Sequence, residues 1–295
     1  MKFKFKFKKT DKTGTILIIM LIIGRSLLLY PSVANFWNQR TQSNVISSYE
    51  ESLKEMEKED FTKLFDDAKA YKKKLLDVSN ALAHYDRIPG YNDLLKVNNS
   101  GAMGYITIDK IKVELPIYHG TSEEVLNVAV GHLQGSSLPI GGKGVHTVLT
   151  GHRGLPSATL FTDLNKLEVG DTFTITVLDQ TITYEVDQVR IVLPKEVDEL
   201  KIDPDKDYCT LVTCTPYGLN THRMLVRGVR TSNLKNKPLL YIKNDCDQIN
   251  PLIVTPALAI PMLVVLLIVV FTRDKKKRDA RKKLNQENQK QSETE

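Results

Sequence analysis

The run Thr210-Leu-Val-Thr-Cys-Thr-Pro-Tyr-Gly-Leu-Asn-Thr-His-Arg-Met-Leu-Val-Arg-Gly228 reads as two β-strands joined by a turn. β-Branched and apolar residues fill both flanks, and Pro216, Gly218 and Asn220 mark the turn between them. If the flanks pair as a hairpin, Cys214 closes one strand and Arg223 opens its neighbour, so thiol and guanidinium stand side by side at a rim. Upstream, segments 104–108, 113–118, 146–150, 172–178 and 182–192 have the same character, and 172–177 alternates with period two. With the hairpin this makes seven or eight strands in about 130 residues, the pattern of a mostly β protein closed into a barrel. Residues 122–130 are the best candidate for a short helix. Residues 43–80 are polar and helix-prone, and Leu53, Met56, Phe61, Leu64, Phe65, Ala68, Tyr71 and Leu75 recur on one face, as in an amphipathic stalk packed on the domain.

The two ends differ from this body. Residues 252–272 form a 21-residue run without a charge, long enough at about 1.5 Å per residue to cross roughly 30 Å of hydrocarbon. A basic block from Arg273 to Lys283 follows, which predicts a cytoplasmic C-terminus. At the other end, six lysines precede an apolar stretch at residues 16–30 that Gly24 and Arg25 interrupt. It reads either as a retained signal-anchor or as a cleaved signal peptide with Ser32-Val33-Ala34 as its small-x-small site, and the retained anchor is favoured. Either way the body is exported. The expected organisation is a basic N-terminus at 1–14, an anchor at 15–34 and a helical stalk with a lid-like segment at 35–99. A barrel at 100–235, a linker at 236–251, a second span at 252–272 and a basic tail at 273–295 complete it.

The chain has 295 residues and a formal net charge of +6. Without the two tails and Arg25, 25 basic and 29 acidic residues remain, a net of about −4, so the basic character belongs to the ends and no nucleic-acid partner is expected. Three cysteines, without C-x-x-C or H-x-x-x-H spacing, make neither a disulfide framework nor a zinc site. In an exported domain a lone thiol is a candidate nucleophile, and a neighbouring cation favours its thiolate. The guanidinium fork of Arg223 could also stabilise an oxyanion. A thiol nucleophile needs a base, and six histidines supply candidates: His84, His119, His132, His146, His152 and His222. His152 lies between glycines on a tight loop after a strand, while His119 and His132 occupy similar turns, so the residues alone leave all three open.

The hairpin sequence closely resembles the active-site segment of sortases, specifically the pilus-assembling class C enzymes. Thr150-Gly-His-Arg-Gly-Leu-Pro-Ser-Ala-Thr-Leu-Phe-Thr-Asp-Leu164 resembles the histidine segment of the same class, and Leu115-Pro-Ile-Tyr-His-Gly-Thr-Ser122 and Gly131-His-Leu-Gln-Gly-Ser-Ser-Leu-Pro139 match further blocks. The likeness covers about residues 100–232, and the double-anchor topology fits it. It implies a sortase-type β-barrel with short helices, an N-terminal helical segment and flanking transmembrane helices. It also implies Cys214 as nucleophile, His152 as its partner and Arg223 as oxyanion stabiliser. Thr213 would help hold substrate or oxyanion, and Asp163 would be structural.

The implied reaction needs neither cofactor nor metal. Cys214 would cleave an LPXTG-type sorting signal through a thioester, and a lysine amine of a pilin subunit would resolve it into an isopeptide bond. The implied partners are pilins and the cell membrane of a Gram-positive bacterium, with the catalytic domain outside. Three other functions fit less well: a housekeeping sortase that anchors proteins to the cell wall, a catalytically silent pilus-assembly scaffold, and a cysteine protease that merely hydrolyses exported proteins. The family's Asp-Pro-aromatic lid motif is disrupted here, in His84-Tyr-Asp-Arg-Ile-Pro-Gly-Tyr91. Tyr85, Asp86, Pro89 and Tyr91 are the lid candidates, with Asp86 placed to pair with Arg223 and either tyrosine to cover the thiol. The expectation is a weak lid, whose deletion (residues 80–97) changes cleavage only modestly.

Overall fold

The structure, a computed structural model, describes residues 12–97 and 100–232. The basic N-terminus, the span at 252–272, its flanking linker and tail, and Cys246 lie outside the described residues.

Eight strands close into one barrel: β1 (Ala102–Ile108), β2 (Val113–His119), β3 (Val130–His132), β4 (Val145–Thr150), β5 (Thr172–Val177), β6 (Gln180–Val192), β7 (Asp207–Thr215) and β8 (His222–Arg230). Their order around the barrel is β1-β2-β3-β4-β7-β8-β6-β5. The β2–β3 and β4–β7 pairs are parallel and the rest antiparallel. The period-two pattern explains the closure. Phe173, Ile175 and Val177 of β5, Ile182, Tyr184 and Val186 of β6, and Cys209 and Leu211 of β7 point into one shared core. The Phe173 and Tyr184 rings stack 5.5 Å apart. Gly228 leaves room for them, since a Cβ there would come within 2.7 Å of the Phe173 ring.

Two helices precede the barrel. α1 (Lys12–Lys54) runs through Pro31, and α2 (Lys58–Asp77) follows a short break. The amphipathic stripe is present. Phe65, Ala68, Tyr71 and Leu75 are buried in the main core, and Leu53, Phe61 and Leu64 pack against it. The α1 end is bolted by Tyr49, whose hydroxyl donates to Met103 O (3.1 Å) and accepts from Leu178 N (2.8 Å). Residues 122–130 divide into the four-residue helix α3 (Glu123–Leu126), capped by Ser122, and the start of β3. α1 also carries a window apolar enough to cross a membrane, none of it buried.

Candidate active site

Strand parity places the thiol. Cys209 and Leu211 face the core, so Thr210, Val212 and Cys214 face outward on β7. The two cysteines differ accordingly. Cys209 is fully buried, and burial raises its pKa well above the ordinary thiol value, whereas Cys214 is partly exposed. The β7–β8 register sets Cys214 directly opposite Arg223, a pairing that brings Cα atoms to about 4.5–5.5 Å. Arg223 Nη1 donates to Asn220 O and His222 O, both at 3.1 Å, while Nε and Nη2 make no hydrogen bond to the described residues.

The histidine arrives from the other side of β7. β4 is parallel to β7 with Thr150 level with Val212, so two residues beyond each strand position stand His152 and Cys214. A side-chain and backbone clamp keeps these chains together past the end of β4. Gly151 N donates to Val212 O (3.0 Å) and Thr213 Oγ1 donates to Gly151 O (2.8 Å). Gly151 must be glycine, because a Cβ would lie 2.6 Å from the Phe161 ring. Thr213 is thus buried behind Cys214, its hydroxyl committed to the histidine loop. Arg153 adds bonds to Asn165 Oδ1 (3.1 Å) and Thr215 Oγ1 (3.4 Å).

His119 and His132 are elsewhere. His132 is fully buried, with Nδ1 2.7 Å from the Tyr91 hydroxyl and Nε2 2.9 Å from Ser137 O, and burial lowers its pKa to about 4. His119 Nε2 donates to Leu94 O (2.8 Å) and packs edge-on to Tyr91. His146 is buried between Lys201 O and Thr210 Oγ1. Burial lowers the pKa of both. His222 bonds Thr221. His152 is partly exposed, and the β4–β7 register carries it to the level of Cys214; His222, also partly exposed, lies opposite Thr215 on β8.

Below Cys214 the outward face is apolar. Val148, Val212 and Leu225 form its floor, and Leu200, Leu82, Leu133 and Val192 pack on it. Leu82 comes from the segment before β1, whose backbone at Ala81–Leu82 lies directly on Gly135. Sequence reasoning missed Leu82, because one leucine in a polar stretch carries no periodic signal.

The lid candidates separate. Tyr85, Asp86 and Pro89 are exposed, and among the described residues no ion pair joins Asp86 to Arg223. Tyr91 does not cover the thiol. It is 2% exposed, its hydroxyl accepts from Gly120 N (3.0 Å) and lies 3.0 Å from His132 O. Ile88 and Leu95 are buried with it, so deleting 80–97 would strip three side chains from the core, and the segment calls for point substitutions instead. Among the described residues no cluster of His, Cys, Asp or Glu is arranged to hold a metal ion.

Comparison with known proteins places this geometry in context. Residues 106–231 match the sortase-domain family description. Sortase D of Bacillus subtilis is 31% identical over 140 residues, which cover 46% of this chain and 68% of that protein. The crystal structure of sortase C1 from Streptococcus agalactiae superimposes with a TM-score of 0.59 at 48% identity, covering 64% of this chain and 99% of that one. The X-ray structure of Clostridium perfringens sortase C with the C-terminal cell wall sorting motif gives 0.58 at 42%, covering 65% and 100%.

Proposed function

The chain belongs to the sortase family of cysteine transpeptidases, with class C enzymes among its structural neighbours, and from that premise we propose that it polymerises pilins. In this reading it cleaves an LPXTG-type sorting signal through a thioester on Cys214 and passes the acyl group to a pilin lysine amine. The observation that carries the proposal is the register around β7: Cys214 level with Arg223 on one side and with the histidine loop on the other.

The Cys214 thiolate attacks the threonine carbonyl carbon, forming the C–S bond and pushing an electron pair onto oxygen. The free donors of Arg223 hold that oxyanion. His152, as imidazolium, protonates the glycine nitrogen as the C–N bond breaks, and the amine leaves. The now neutral imidazole takes a proton from the incoming lysine amine, which attacks the thioester and releases Cys214 with an isopeptide bond formed. Thr213 contributes by holding Gly151, and so His152, at the level of the thiol. The apolar floor of Val148, Val212 and Leu225 suits the leucine of the signal, which would displace Leu82. Sortases are Gram-positive cell-surface enzymes, and the apolar stretch of α1 is consistent with anchoring to the membrane.

Intact-mass analysis of the full chain in detergent, mixed with an LPXTG-type peptide, tests the proposal. The expected product is an adduct lacking the glycine end, absent in Cys214→Ala, that disappears when a lysine-bearing pilin is added and reappears as the peptide acyl group joined to a pilin lysine. Resolution only by a glycine- or peptidoglycan-type amine would favour wall anchoring instead, and no adduct would favour the scaffold.

A further inference from the structure

We infer that Asn35 and Asn38 of α1 are positioning residues for His152, bracing the histidine loop from outside the barrel; the inference rests on the assignment of His152 above. The loop from His152 to Phe161 is closed at its base, where Phe161 N donates to His152 O (3.1 Å) and Gly154 N donates to Thr162 Oγ1 (3.1 Å). Its far end is held by the helix. Thr159 N and Thr159 Oγ1 both donate to Asn35 Oδ1 at 2.9 Å, and Asn38 Nδ2 donates to Ser157 O at 2.8 Å.

The chemistry of each partner fixes the amide orientations. A backbone N–H can only donate and a carbonyl can only accept, so Asn35 must present oxygen to Thr159 N and Asn38 must present nitrogen to Ser157 O. The two asparagines are three residues apart, and therefore neighbours on one helix face. Between the two anchorages Leu160 sits at φ 39°, a left-handed conformation rare for a residue with a branched side chain, and it is buried. Such a residue persists where its surroundings over-determine it. Here Thr159 is tied to α1 on one side and Phe161 to His152 O on the other. Ala158 and Leu160 supply the apolar grip, and the asparagines set the register in which the strained residue is held.

The brace has a consequence for the enzyme. The helix that carries the apolar stretch also supports the segment that delivers His152, and Asn35 follows Tyr30 by five residues. Two of the three bonds are exposed to solvent, so each is worth a modest factor, and the effect lies in the orientation of the imidazole.

The test uses the full chain in detergent with Asn35→Ala, Asn35→Asp, Asn38→Ala and Asn38→Asp, and Asn44→Ala, an exposed residue of the same helix, as control. Thioester formation with the LPXTG-type peptide gives kcat and KM. The pH profile of Cys214 alkylation by iodoacetamide, read by peptide mass, is taken alongside and compared with His152→Ala. Asn35→Asp keeps an acceptor and is expected within about twofold of wild type, whereas Asn38→Asp sets a carboxylate against a carbonyl and should behave like Asn38→Ala. Asn35→Ala, Asn38→Ala and Asn38→Asp are expected to lower kcat by about 3- to 30-fold with little change in KM, and to weaken the His152-dependent limb of the alkylation profile.

Wild-type behaviour of Asn35→Ala and Asn38→Ala in both measurements would overturn the inference, as would equal loss in Asn35→Asp and Asn35→Ala. If wild type forms no peptide adduct yet alkylation still depends on His152, the substrate assignment fails and the alkylation profiles alone judge the brace. If alkylation ignores His152, both readings fall.

Discussion

Arg223 and Cys214 show how much one register position carries. Lysine at 223 would keep the charge but lose the planar fork, and its single ammonium cannot reach loop carbonyls and oxyanion together. Arg223→Lys is therefore expected to slow thioester formation by about 10²–10³-fold, the loss seen when one oxyanion donor is removed. Stopped-flow mass measurement of the adduct checks this; a loss below tenfold would remove Arg223 from the oxyanion role. At this scale the sequence was readable. Alternation along Thr210–Thr215 tells that Cys209 and Cys214, an odd number of residues apart, face opposite sides. It could not tell His152 from His119 and His132, because all three sit in similar turns. Packing separates them: the latter two close around Tyr91, where burial favours the neutral imidazole.

Between residues and the whole stands the segment before β1. With its disrupted motif it reads as a loose cover, yet Ile88, Tyr91 and Leu95 make it part of the core. Its lock is the Tyr91 hydroxyl, which joins this segment to His132 and Gly120. Tyr91→Phe leaves His132 Nδ1 and Gly120 N without that partner and is expected to destabilise the protein by about 1–3 kcal/mol, seen as a lower Tm. The same lock makes stability fall in acid. Burial depresses the His132 pKa from 6.5 to about 4, so the unfolded chain binds the proton first. The resulting stability is complete above about pH 6.5 and is lost as pH falls towards 4, a loss on the order of 3 kcal/mol for this group. His119 and His146 are shifted in the same direction by burial. Tm measured at pH 7.5 and pH 5 should drop in wild type and drop less in His132→Gln; equal drops would assign the effect to other groups. The element that sequence patterning missed is β3, only three residues long with a glycine at its centre, too short for any period to register.

For the whole molecule, the question is whether the apolar stretch of α1 anchors the enzyme to a membrane. Trp37 is the sole tryptophan of the chain, and it is 71% exposed on α1, with Phe36 and Tyr30 also exposed. Exposed aromatics just past an apolar stretch suit the headgroup region, where such rings concentrate. If the stretch is retained as an anchor, Trp37 emission of the protein in vesicles should shift to the blue and be quenched by brominated lipids. Emission at the fully hydrated position, without quenching, would favour a cleaved leader instead.

Composition and local pattern were enough to establish a mostly β barrel and the pairing of Cys214 with Arg223 across one hairpin. Those follow from strand alternation and turn residues, which act over a few neighbouring positions. What only the tertiary structure decided were the contacts made across long separations. The parallel β4–β7 register levels His152 with Cys214, Leu82 lies on the apolar floor, Tyr91 turns inward, and the α1 asparagines reach the histidine loop more than a hundred residues on. No local period encodes such meetings, because they depend on how the closed barrel brings distant strands and loops to one rim.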